Sequence, residues 1–97
     1  MYKATEKQIA EWKKEHGEIF RITVADKACY LKKPDRKILG FAGLAAKENP
    51  MGFNESLLTN CWLGGDEEIK TDDDLFLSIA PDLVKLNEVK ATELVKL

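Results

Sequence analysis

The chain of 97 residues holds one histidine, His16, and two cysteines, Cys29 and Cys61. A hydrolytic triad needs a nucleophile and an imidazole base oriented by a third group. A lone histidine at the end of a predicted helix is better explained by the helix dipole, which favours a cation there. No Cys/His spacing suits tetrahedral zinc. Both cysteines occupy apolar-pattern positions, so buried free thiols are expected rather than a disulfide or a nucleophile. The densest charge is Asp66-Glu67-Glu68 followed by Asp72-Asp73-Asp74. A calcium loop alternates its ligands around a central glycine and ends on a distant glutamate. Here Gly64-Gly65 precede the acids and no alternation exists. The acids read instead as a solvated helix start, with Thr71 and Asp74 spaced as a capping box and the dipole favouring negative charge. Neither Gly40-Phe41-Ala42-Gly43 nor Gly64-Gly65 has the lysine and spacing of a phosphate loop. No catalytic, cofactor-binding or metal-ligating residue emerges, and no cofactor is expected.

Charge is uneven along the chain. Residues 1–40 carry ten Lys/Arg against six Asp/Glu, a balance of +4, and residues 41–97 carry five against eleven, a balance of −6. The two balances give the net −2 of the whole chain. An acidic second half argues against binding a phosphate backbone across the fold. The basic corner Lys32-Lys33-Pro34-Asp35-Arg36-Lys37 lacks interleaved aromatics beyond Tyr30, so no nucleic-acid partner is expected. No apolar run approaches the ~20 residues of a membrane helix. The first residues lack the apolar stretch of a signal peptide. A cytoplasmic protein and no membrane partner are the expectation.

The elements that must position any surface follow from periodicity. Residues 5–16 read as a short helix, capped by Thr5 and Gln8 and stopped by Gly17, with Ile9 and Trp12 on one face. So few apolar positions leave it dependent on packing. Phe20, Ile22 and Val24 alternate with polar residues over 18–25, and residues 28–33 follow as a second strand, with a tight turn at Asp26-Lys27. Cys29 and Leu31 share one face, Tyr30 and Lys32 the other. Two strands alone are marginal, so the ribbon must lie on helices or extend its sheet through another subunit. Asp35 caps a helix reaching residue 47, with Ile38, Leu39, Ala42, Ala45 and Ala46 on its apolar face. Gly40 and Gly43 make it slim, a shape that permits close helix contact. A second helix over 51–63 presents Phe53, Leu57, Cys61, Leu58 and Trp62 before Gly64-Gly65 stops it. A short helix over 71–80 meets Pro81, expected as a kink or a break. Leu83, Leu86, Val89 or Lys90, Leu94 and Leu97 then form a helical stripe. The expected fold is α+β in one domain, residues 1–97: an N-terminal helix and β-hairpin followed by a bundle of three to four α-helices.

The corner Leu31-Lys32-Lys33-Pro34-Asp35-Arg36 after a strand, and Leu57-Leu58 with Cys61 in a helix about twenty residues on, resemble the phage tail assembly chaperones over roughly residues 18–97. The resemblance implies a non-enzymatic role. Such proteins bind the long helical tape-measure protein of a phage or prophage, keep it soluble, and help tail-tube subunits assemble around it. A client of amphipathic helices needs an apolar groove with charged rims. Trp12, Phe41, Trp62 and Phe76 are the candidate partner-binding residues, with the slim glycine- and alanine-rich helix beside them. For Trp62 the competing expectation is a place in the core. The alternative reading is a small regulatory or structural adaptor that self-associates, forming a homo-oligomer through its β-ribbon.

Overall fold

A computed structural model describes residues 2–87 and 91–97. In chain order the elements are α1 (Glu6–His16), β1 (Ile19–Val24), β2 (Lys27–Lys32), α2 (Arg36–Glu48), α3 (Gly52–Cys61), β3 (Trp62–Gly65), α4 (Glu68–Thr71) and α5 (Asp73–Lys85). The fold is α+β, as expected: an N-terminal helix, then a hairpin, then helices.

Local chemistry sets most boundaries. Thr5 and Gln8 close the capping box of α1, and Gly17 ends the helix at φ 80°. Asp35 accepts the Ile38 amide at 2.9 Å and starts α2. The hairpin turns one residue earlier than the sequence suggests. Val24 pairs with Lys27, leaving Ala25-Asp26 as the loop. Ala25 takes φ 51°, a conformation unfavourable for a residue with a Cβ.

The largest departure from expectation lies after α3. The helix stops at Cys61, not at residue 63, and Trp62–Gly65 becomes a third strand. It pairs antiparallel with β2, giving the order β1-β2-β3. Tyr30 faces Gly64 and Leu31 faces Trp62, so Leu63 is an extra residue that bulges the strand. The ribbon is thus completed from within its own chain. Gly65 makes this possible. Its φ is +152°, and a Cβ there would lie 2.6 Å from both the Ala28 carbonyl oxygen and the Cys29 Cα. Gly-Gly acts here as a close backbone approach rather than as a helix stop.

The acidic stretch is also read differently by the fold. Thr71 closes the short α4 instead of capping α5. Asp72 is the cap, accepting the Leu75 amide at 3.0 Å. Asp73 and Asp74 do occupy the first turn. Pro81 does not break α5, which runs through it to Lys85. Proline cannot donate to the Leu77 carbonyl, and Leu77 is on the exposed side, where water can take that carbonyl. The expected C-terminal helical stripe is not continued at Leu94 and Leu97. Val89 and Lys90 lie outside the described residues, and residues 91–97 are exposed without regular structure.

The core sits on one face of the sheet. Ile22, Cys29 and Leu31 of the strands meet Ile38, Ala42, Leu57, Leu58, Cys61, Ile69, Ile79, Leu83 and Leu86 of the helical layer. The opposite face carries α1 and the N-terminal segment. β2 is therefore covered on both sides, and its middle four residues are all buried. α2 and α3 form a tight αα-hairpin. A Cβ on Gly52 would come 2.6 Å from the Ala45 carbonyl oxygen. The expected close helix contact exists, but Gly52 makes it, not Gly40 or Gly43.

Candidate binding surfaces

The four aromatic candidates do not converge on one groove. Trp12 lies on the α1 side of the sheet. Its ring is 5.6 Å from that of Tyr30, centroid to centroid. Tyr2 approaches the same tyrosine edge-on at 6.0 Å. This aromatic layer is what holds α1, which buries no residue fully. Asp66 fastens the segment ahead of it. One carboxylate oxygen accepts the Tyr2 amide at 3.0 Å and the Ala28 amide at 2.9 Å. The Asp66 amide donates in return to the Ala28 carbonyl at 2.9 Å. These two donated amide bonds hold the Asp66 carboxyl below the usual carboxylate value. Gly64 belongs to the layer as well, because a Cβ there would sit 3.2 Å from the Tyr2 hydroxyl and 3.4 Å from the Trp12 ring.

Trp62 is on the other face, opposite Leu31 and packed against the core. It is half-buried, and Lys70 Nζ stands 4.2 Å from its ring centroid as a cation–π partner. Phe76 is half-buried against the same cluster. These three aromatics are structural supports with exposed margins. Phe41 is different: it is 54% exposed on the outer face of α2.

That outer face is the most distinct surface of the molecule. Ile38 and Ala42 turn inward and are buried. Phe41 and Leu44, three residues apart, turn outward with 54% and 60% exposure. Gly40 and Gly43 flank them, and a Cβ at either would meet nothing within 4 Å. Lys37 and Lys47 are exposed one turn before Phe41 and one turn after Leu44. Neither makes an ion pair among the described residues. Sequence reasoning named Phe41 but missed Leu44. The signal was available, since Phe41 and Leu44 form an i, i+3 pair off the Ile38–Ala42 stripe. A second set of exposed apolar residues, Leu77 and Val84, lies on α5.

No family model, curated protein or solved structure matches this chain.

The groups capable of chemistry are dispersed. Cys29 and Cys61 are free and fully buried. Burial pushes each thiol up to about 11, so both are neutral and poorly nucleophilic near pH 7. His16 is exposed at the end of α1, with Nε2 3.5 Å from Glu15 Oε2. Among the described residues no group of three or more His, Cys, Asp or Glu could hold a metal ion. Among the same residues no helix is long and apolar enough to cross a membrane.

Proposed function

We propose that this protein is a non-enzymatic binding module that holds an amphipathic helix of a protein partner on the outer face of α2. The observation that carries the reading is the combination of outward glycines and outward apolar side chains. Gly40 and Gly43 serve no contact inside the fold. Glycine in a helix interior costs about 0.5–1 kcal/mol relative to alanine. Beside Phe41 and Leu44 the glycines leave shallow notches into which a partner's side chains fit. Helix-in-groove recognition uses apolar anchors one turn apart in this way. The exposed Lys37 and Lys47 favour a partner helix with acidic flanks.

The resemblance to phage tail assembly chaperones gives this partner a concrete form: a long helical tape-measure protein, kept soluble in the cytoplasm while tail-tube subunits assemble. The test is co-expression with the helix-rich protein encoded next to this chain, followed by pull-down. Soluble, co-purifying client that is lost with Phe41→Asp supports the reading. Client that stays insoluble, or that binds equally well to Phe41→Asp, refutes it. A self-associating adaptor is the second reading, and the feature favouring it is the open edge of β1.

A further inference from the structure

The sheet ends on β1, and cavities lie on both faces of that strand. One of about 410 Å³ is lined by Phe20, Arg21, Ile22 and Thr23 with Asp82, Lys85 and Leu86 of the α5 end. The other, about 300 Å³, lies beside α1 among Ile9, Lys13, Ile19, Phe20, Arg21 and Tyr30. A helix laid along the edge would fill one face only. A strand sends its side chains alternately to both. Natural edges are blunted by proline, bulges, several charges or shortness. β1 has six residues, no proline and no bulge against β2, and a single charged residue, Arg21. β3, the other edge, is short and bulged and holds two glycines.

The hydrogen-bonding direction of β1 follows from its loop. A two-residue loop makes Val24 and Lys27 a hydrogen-bonded pair, and the pattern alternates from there. Val24, Ile22 and Phe20 therefore direct their N–H and C=O groups to β2. Ile19, Arg21 and Thr23 direct theirs to the open edge.

We propose that β1 pairs antiparallel with β1 of a second copy about a two-fold axis at Ile22, forming a continuous six-stranded sheet. An axis perpendicular to the sheet keeps each residue on its own face, so the possible registers differ in steps of two residues. A centre on Arg21 sets two like charges directly opposite each other, which is unfavourable. A centre on Phe20 pairs only residues 19–21 of the two strands, and one on Thr23 pairs only residues 22–24. The centre on Ile22 pairs five residues of each strand, 20–24, with Phe20 against Val24 and Arg21 opposite Thr23, so no strand residue faces a like charge. The outward amides and carbonyls of Arg21 and Thr23 then close four hydrogen bonds across the axis. The groove suits a neutral, apolar strand face, because Lys85 Nζ and Asp82 Oδ1 on its rim already pair with each other at 3.6 Å. Phe20, 36% exposed in the single chain, becomes covered. The proposal rests on the sheet edge alone and is independent of the α2 face.

Sedimentation equilibrium of the intact chain tests it. The expected result is a concentration-dependent rise to twice the 11.0 kDa chain mass. Thr23→Pro removes an outward N–H, which an edge strand tolerates, so this variant is expected to stay folded by circular dichroism and to sediment as a monomer. A wild type that remains monomeric at every concentration overturns the proposal, and so does a folded Thr23→Pro that still dimerises. Cysteine cross-linking reads the register without relying on proline. A mixture of Arg21→Cys and Thr23→Cys proteins is expected to form the mixed disulfide, while neither variant alone does. The buried Cys29 and Cys61 serve as the unreactive background. No cross-link in the mixture, or a cross-link in Arg21→Cys alone, overturns the Ile22-centred pairing.

Discussion

Gly52 and Gly65 differ from Gly40 and Gly43 in what surrounds the missing side chain. At Gly65 a Cβ would strike the backbone of Ala28 and Cys29, and at Gly52 it would strike the Ala45 carbonyl. At Gly40 and Gly43 it would enter open space. The first pair is required by the fold: one glycine docks β3 on β2, the other docks α3 on α2. The second pair weakens a helix without improving any internal contact. In the function proposed above, these glycines beside exposed Phe41 and Leu44 make room for what approaches from outside. The same lysine-rimmed face lies away from the aromatic layer of Tyr2, Trp12 and Tyr30, so a partner can occupy it while that layer stays closed.

Substitutions can break or sharpen this contrast. The largest effect is expected at Gly65→Ala. Overpacking typically costs about 1–3 kcal/mol, and a non-glycine residue held at such a positive φ adds about 1–3 kcal/mol more. Urea or thermal unfolding should show the loss, with β3 the first element to lose amide protection in hydrogen exchange. Gly52→Ala is next. The new methyl meets backbone, so about 1–2 kcal/mol of destabilisation is expected within the overpacking range, measured by the same unfolding curves. A stable Gly52→Ala protein would erase the distinction between the two pairs.

Acid provides a third handle. The folded state holds the Asp66 carboxyl below its ordinary value through the Tyr2 and Ala28 amides. A depressed carboxyl contributes stability that is present above the unfolded-state value and is lost as pH falls through the folded-state value. Wild type should therefore lose stability below about pH 4, the ordinary carboxylate value. Asp66→Asn should flatten that part of the pH profile, and the amides of residues 2–4 should exchange faster in the variant at neutral pH. An unchanged profile would show that Asp66 is not the fastener of the N-terminal segment.

Much of this architecture was legible in the sequence, and the failures have physical causes. Thr5 with Gln8, Gly17 and Asp35 are caps that act within a few residues, so local chemistry was enough to place them. The alternation of Phe20, Ile22 and Val24 reported a strand correctly because one face of β1 is on the core. β3 was invisible for the opposite reason. Leu58 and Trp62 continue a helical spacing, and Gly64-Gly65 reads as a stop, yet the edge of β2 offers a ladder that only an unencumbered backbone can reach. That is a tertiary demand, satisfied some thirty residues away in sequence. The leucines near the C-terminus show that periodicity alone does not make a helix. Leu94 and Leu97 have the spacing but no surface to pack against, and both are fully exposed. Of the four surface candidates, Phe41 alone is exposed. Trp12, Trp62 and Phe76 were drawn into packing because large aromatic rings are the cheapest way for a small chain to cover its sheet.

The smallest change in the molecule gives the most direct test of the α2 reading. Gly43→Ala adds one methyl group to open space on an exposed helix. The account predicts a gain in stability of about 0.5–1 kcal/mol, together with weaker binding of the co-expressed helical partner. Melting temperature and partner affinity, measured on the same preparation, should thus move in opposite directions. A variant that melts higher and binds the partner as tightly as wild type would contradict the claim that the outward glycines exist for a docked helix.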